Sequence, residues 1–391
     1  MTPIGPVPFV GRVSELDELR QQLALVSLVS LHGPLGSGKT RLVHELAPSL
    51  GAPCSVVECH PGDRASAIRS RAERALRCVP GALSATLTQQ ARVLVIDDIH
   101  HLRTDEATSL LAPLQLGPTA LGRIVVIGRD PLTAAIGATI AELELGGLAV
   151  DAAERLWAAL ADSYGEAAGF DAAYARTRGM PLALRREYAR ARLGATAWDY
   201  PALDASARGA LDALAILRAP VAPAAIAALA PGLELEAAIT GLLARQLVDA
   251  TGDGRIAVHD VIRVEVLGHM PADTRRRLSA AAAELIASTA AVGAGPRLAW
   301  QAGDDGAFGA MDQITRARET VWHWIAAGDR DRAADALLAD RELAERAGGG
   351  GEFEALLDAI GDRPRRSRGT VNPLAPDAAA DGAPLDAERQ R

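Results

Sequence analysis

Leu28-Val-Ser-Leu-His32 runs into Gly33-Pro-Leu-Gly-Ser-Gly-Lys39-Thr40, and Arg41-Leu-Val-His-Glu-Leu46 follows. The middle segment fits G-x-x-x-x-G-K-[ST], the pattern of a phosphate-binding loop. A short apolar strand before it (27–33) and a helix after it (40–50) supply the context that this motif needs. Glycines let successive N–H groups curl around a phosphate chain, and the helix N-terminus adds positive potential. Gly33, Leu35, Gly36, Ser37, Gly38 and Arg41 are therefore assigned to binding. Lys39 is expected to reach the β- and γ-phosphates, and the Thr40 hydroxyl to ligate Mg²⁺.

Composition singles out the same place. The chain of 391 residues carries 41 Lys plus Arg, and Lys39 is its only lysine. Arg is a planar fork, whereas Lys is a slim, flexible point charge. The surviving lysine marks a position where arginine would not serve.

Working outward, apolar strands alternate with helical patterns. A helix is expected at 14–26 with Ser14 as its cap, then strands at 54–59, 92–98, 122–128 and 141–145, with helices near 64–78 and 104–113. This alternation predicts an α/β fold: a parallel sheet with helices on both faces. Val93-Leu-Val-Ile96-Asp97-Asp98 reads as a buried strand with carboxylates at its C-terminal end, where open α/β sheets bind ligands. Asp97 is the second expected Mg²⁺ ligand, and Asp98 is placed to orient a water near the γ-phosphate. Arg129 closes the next strand, Ile124-Val-Val-Ile-Gly-Arg129-Asp130, at the same edge.

Strands stop near residue 148. Five segments follow from these patterns: a nucleotide-binding domain over 1–148, a helical lid over 149–200, a winged-helix domain over 201–270, a helical region over 271–361 and a disordered tail over 362–391. The winged helix is read from three helical patterns and a hairpin around Thr251-Gly-Asp-Gly254. Residues 320–340 look like one tetratricopeptide-type hairpin. The glycine run at 348–351 reads as a flexible break. Trp300, Trp322 and Trp324 fit core packing somewhat better than a partner surface.

In this order the motifs resemble the STAND class of P-loop ATPases, relatives of plant resistance and apoptotic nucleotide-binding proteins. The resemblance covers about residues 8–270. It rests on Phe9-Val-Gly-Arg12, the phosphate loop, Asp97-Asp98, Gly-Arg129-Asp130, Gly179-Met-Pro181 and Val258-His259-Asp260. It implies that Val10, Gly11 and Arg12 lie over adenine and ribose, and that Pro181 packs against the base. It implies that His259 reaches the β-phosphate of ADP and that Arg129 senses the γ-phosphate. The implied function is an ATP/ADP-dependent regulatory switch with slow hydrolysis, with Mg²⁺ as metal. Departures from the class are expected: only eight residues precede Phe9, and no helix-turn-helix output segment closes the chain.

Bulk properties narrow the alternatives. A net charge of −8 argues against a protein that coats nucleic acid. Leu233–Val248, the candidate recognition helix, contains Glu234 and Glu236 with only Arg245 opposing them, so direct DNA binding is not expected. Arg363, Arg365, Arg366 and Arg368 read as a solvated tail. No uninterrupted apolar stretch suits a membrane span, and the start lacks a signal-peptide pattern. Cys54, Cys59 and Cys78 suit a reducing cytoplasm and match no standard zinc spacing. The output is expected to pass to a partner protein or to another copy of the chain. Two rival readings are a mechanical AAA-type ATPase acting on a macromolecule and a degenerate module with structural ADP. A small-molecule kinase lacks an acceptor site.

Overall fold

In a computed structural model, the protein is described over residues 7–132, 140–289, 313–339 and 350–361. The N-terminal half is a sheet of five parallel strands in the order β2-β3-β4-β1-β5. They are β1 (Leu28–His32), β2 (Cys54–Glu58), β3 (Val93–Asp97), β4 (Arg123–Ile127) and β5 (Ala141–Glu144). Leu28 pairs with Ile124, Val29 with Ala141, Val93 with Arg123, and Glu58 with Asp97. The last register brings the C-terminal ends of β2 and β3 side by side.

The central strands β3, β4 and β1 are mostly apolar and buried over nearly their whole length, because both sheet faces are covered. Val29, Leu31, Val95 and Val125 face a core shared with α1 (Val13–Leu25) and α2 (Lys39–Leu46). Leu94, Ile96, Ile124 and Val126 face the opposite core, built with α3 (Ala65–Ala75), α4 (Leu83–Gln89) and α5 (Thr104–Leu111). The expected α/β architecture is what forms. Helix α1 starts one residue before Ser14, with Arg12 in left-handed geometry (φ 64°) at the cap position instead of the serine. Helix α4 has no counterpart in the sequence reading, because Leu-Ser-Ala-Thr-Leu-Thr-Gln gives little periodic signal.

Next come α6 (Val150–Tyr164), α7 (Phe170–Thr177) and α8 (Pro181–Leu193). Trp157 meets Phe170 and Tyr188 edge-on, with ring centres 5.8 and 5.2 Å apart. The buried Tyr188 hydroxyl donates to the Leu160 carbonyl at 2.9 Å. Then α9 (Ala205–Ile216), α10 (Pro223–Leu229) and α11 (Leu235–Ala244) lead to a hairpin of β6 (Asp249–Ala250) and β7 (Ile256–Ala257), followed by α12 (Asp260–His269). Asp204 caps α9 by accepting from the Ala207 N–H. At the other end Arg263 donates to the carbonyls of Leu214, Ala215 and Leu217, satisfying orphan groups of the last turn. Buried residues from Leu148 to Ile286 form one continuous core.

Four helices complete the described chain: α13 (Ala272–Ser288) lies along α14 (Gln313–Ala327), and α15 (Arg330–Ala339) and α16 (Gly350–Gly361) pack with them. Gly350 and Gly351 open α16, so the expected glycine break does not extend through them. Trp324 is buried in this core. The expected tail from residue 362, and Trp300, lie outside the described residues. Among the described residues no helix is long and apolar enough to cross a membrane.

Candidate functional site

The loop after β1 wraps the N-terminus of α2. Gly36 has φ 78°, and a Cβ there would lie 2.7 Å from the Leu182 Cβ. The first turn of α8 thus presses on the loop, and the Leu182 N–H donates to the Gly36 carbonyl at 3.3 Å. Only glycine meets both demands, the positive φ and the close approach.

Lys39 is 9% exposed. Its ammonium donates to the carbonyls of Gly33 at 2.8 Å and Pro34 at 3.0 Å. Burial and the Arg129 charge push its pKa down, with Asp98 and Asp97 opposing. The Thr40 hydroxyl donates to Asp97 at 2.8 Å. Asp97 is 3% exposed, and its other oxygen accepts from the Asp98 N–H at 2.8 Å. Burial, aided by Asp98, raises the Asp97 pKa to about 7 against the hydrogen bond from Thr40.

Asp98 turns out of β3 with φ 55°. Burial and the nearby Asp260 carboxylate raise its pKa to about 6, opposed by Lys39 and Arg129. Asp260 belongs to the Val258-His259-Asp260 motif, so residues far apart in the chain meet at this edge. His259 caps α12: its Nδ1 accepts from the Val261 N–H at 3.3 Å. Burial lowers its pKa, and Lys39 and Arg185 act in the same direction against Asp260 and Asp249. Arg185 ties α8 to this unit, with Nη2 at 2.5 Å from Asp249.

The expected residues do not all converge. Loop residues, Asp97, Asp98, Arg129 and His259 act on one another electrostatically. Pro181 opens α8 beside Gly36. Arg129 is exposed, and its carbonyl accepts from the Gly33 N–H at 3.3 Å. Leu35 is exposed. Arg41 pairs with Glu45 along its own helix at 2.9 Å. Arg12 is buried and donates to Glu15 at 2.6 Å, the Gly146 carbonyl at 2.6 Å and the Ser37 carbonyl at 3.1 Å. Its guanidinium ties the loop to the strand-to-helix linker, while Val10 packs against the helical core. That linker is tight, since a Cβ on Gly147 would lie 1.9 Å from the Arg178 carbonyl oxygen.

Sequence reasoning missed Asp260 as a partner of Asp98, although it is part of a quoted motif. It also missed His100, whose Nδ1 is 3.6 Å from Asp98. Burial and the neighbouring His101 lower the pKa of His100 to about 4, so its ring is neutral at pH 7. Cys54 and Cys59 are buried, and burial raises the Cys54 thiol to about 11.

The donor set suits a phosphate chain and a hard divalent cation. The lysine holds only loop carbonyls, the Ser37 Oγ is buried without a hydrogen-bond partner among the described residues, and a hydroxyl–carboxylate pair stands beside them. Oxygen ligands of this kind are what Mg²⁺ takes, usually together with water and phosphate oxygens.

Comparison with known proteins agrees. The family model of the AAA domain (dynein-related subfamily) matches residues 29–123. Among solved structures the chain is similar to a signal transduction ATPase with numerous domains (STAND) with a tetratricopeptide repeat sensor, from Pyrococcus horikoshii. The two are 16% identical with a TM-score of 0.63, over 91% of this chain and 54% of that one. The chain thus spans about half the length of that protein. A Walker-type ATPase of Pyrococcus abyssi matches with 14% identity and a TM-score of 0.39, over 66% of this chain and 96% of that one. Residues 29–123 are thus similar to an AAA domain, and the fold as a whole is similar to that of the STAND protein.

Proposed function

We propose that this P-loop ATPase module works as an ATP/ADP-controlled switch that hydrolyses ATP slowly. The observation that carries the reading is the approach of Asp98, at the C-terminal edge of the sheet, to Asp260, next to His259, whose charge helps to raise the Asp98 pKa. A residue that would handle water at the γ-phosphate is thereby joined to the unit that would read the nucleotide.

In this reading Lys39 releases the Gly33 and Pro34 carbonyls and donates to phosphate oxygens instead. Thr40 and Asp97 hold the metal, and Asp98 orients water. Arg129 faces the γ-phosphate, Val10, Gly11 and Pro181 border the base, and His259 donates to the β-phosphate of ADP. Bound Mg²⁺ neutralises charge on the phosphates. The five segments named above are the moving parts: with ADP, His259 holds the 201–270 unit against the sheet. Exchange to ATP removes that bond and competes for Asp98, favouring an open arrangement. The shift is limited by the difference in affinity of the two states for the nucleotide. The opened surfaces then engage a partner protein or a second copy.

Titration calorimetry with MgATP and MgADP on the full chain tests the first step. Saturable uptake that the Lys39→Ala chain lacks is expected; no uptake by folded wild-type protein ends the proposal. For the second step, His259→Ala is expected to weaken ADP more than ATP and to increase cleavage by a protease at low dose. Unchanged nucleotide preference and unchanged cleavage would overturn the switch.

A further inference from the structure

A second polar centre lies at the meeting of the nucleotide-binding half and the C-terminal helices. A cavity of about 80 Å³ opens between the end of β2, the loop after α9, and helices α13 and α14. With about 30 Å³ per water in the liquid, it has room for a few waters or one tetrahedral oxyanion. From the loop, Arg218 donates to both oxygens of Glu319 on α14, at 2.9 and 2.7 Å, and stacks on the Trp322 ring at 4.2 Å. Arg318 donates to the same carboxylate at 2.9 Å. Burial would raise Glu319, but the two guanidinium groups hold it well below the usual carboxylate range.

His323 lines this cavity and is 1% exposed. Neither of its ring nitrogens has a hydrogen-bond partner among the described residues. Burial pushes its pKa down to about 3, so the ring is neutral at pH 7. A neutral imidazole presents one donor and one acceptor, and leaving both unmet in a buried site is costly. An occupant that satisfies both must accept one proton and offer another. Two guanidinium groups on the single Glu319 carboxylate leave a net positive charge that favours an anion, while Glu58, His60 and the acceptor nitrogen of His323 call for an O–H. No group of three or more His, Cys, Asp or Glu side chains that could hold a metal ion is found among the described residues, and the arginines at this cavity disfavour a cation.

We propose that this cavity binds a small protonated oxyanion of the hydrogen phosphate class. Such an anion would bridge the end of β2 to α14 and hold the C-terminal helices against the nucleotide-binding half. It is separate from the phosphate loop and does not require nucleotide there.

Because a phosphate loop can take up phosphate and sulfate by itself, the test uses the full chain carrying Lys39→Ala in buffer free of both. Calorimetric titration at pH 7 with sodium phosphate, then with sodium sulfate, reads the site. One phosphate per chain is expected to bind with sulfate weaker by about tenfold or more, since sulfate has no proton to give the histidine. His323→Leu on this background should abolish uptake and His323→Gln should restore part of it. Absence of saturable phosphate uptake would mean that the cavity holds water only and overturns the proposal. So would equal affinity for the two anions, or uptake that survives His323→Leu. If the leucine variant fails to fold, the two-anion comparison on the parent chain decides alone. Loss of nucleotide binding by the wild-type chain would sink the switch and leave this result standing.

Discussion

The phosphate loop and the α14 junction both bury charge, but their bonding is opposite in kind. At the loop each polar group is held by something a ligand can replace: Lys39 by two backbone carbonyls, Asp97 by a hydroxyl and one N–H. At the junction Arg218, Arg318 and Glu319 satisfy one another with full charges, under the cover of Trp322. Exchangeable partners suit a site that must accept and release a ligand. Mutual saturation suits a joint, and the one unsatisfied ring at that joint, His323, stands out for this reason. The two centres should therefore fail differently when cut.

The largest loss is expected at the joint. Glu319→Ala leaves two arginines buried without their counter-charge, which typically costs about 3–5 kcal/mol. Urea denaturation should show it, with nucleotide uptake retained wherever the chain remains folded. A loss below about 1 kcal/mol would mean that water already screens the junction.

Lys39→Ala should behave in reverse. The carbonyls it leaves belong to a loop that water can reach, so stability should change by less than about 1 kcal/mol. Affinity for MgATP should fall about a hundredfold, the scale of losing charged hydrogen bonds to phosphate. Equal damage to stability and affinity would erase the distinction between the two centres.

Titration separates them again. His323 has a folded pKa of about 3 against an ordinary 6.5, so between these values the unfolded chain takes up a proton that the folded chain refuses. This contribution to stability is complete above pH 6.5 and is lost as pH falls towards 3. Asp97, raised to about 7, contributes with the opposite sign, since its burial favours the protonated form. In phosphate-free buffer, unfolding curves for wild type and His323→Gln should diverge below pH 6.5, by at most about 1.4 kcal/mol per pH unit. Parallel curves would show that the ring is protonated in the folded chain.

How legible each centre was follows from how local its chemistry is. Gly33–Thr40 declares itself because one turn of chain carries every group, and Asp97 because an apolar strand must end where its carboxylate emerges. Most of the sheet was readable for the same reason: β1 to β4 each announce burial within five residues. The bonds of Arg12 to the carbonyls of Ser37 and Gly146 were not legible, because those partners are distant in sequence and carry no side-chain signature. The junction was not legible at all. Glu58, Arg218, Glu319 and His323 are scattered over 265 positions, and nothing near any of them hints at the others. Even Asp260, quoted as part of a motif, gave no sign that its carboxyl meets Asp98.

An exposed ionic contact between the nucleotide-binding half and the C-terminal helices sets the lower limit. Arg64, just before α3, lies 2.6 Å from Asp358 on α16, closer than many buried pairs. Distance alone would rank it beside Arg218–Glu319. Yet the two side chains are 52% and 55% exposed, so water solvates both before and after the pair forms. Fixing two long side chains opposes the modest Coulomb gain, and salt screens what remains. A double-mutant cycle with Arg64→Ala and Asp358→Ala should give a coupling of about 0.2–1 kcal/mol that fades as salt is raised. If the coupling instead approached that of Arg218 with Glu319, burial would not be what separates a joint from a surface contact, and the contrast between the two buried centres would need another cause.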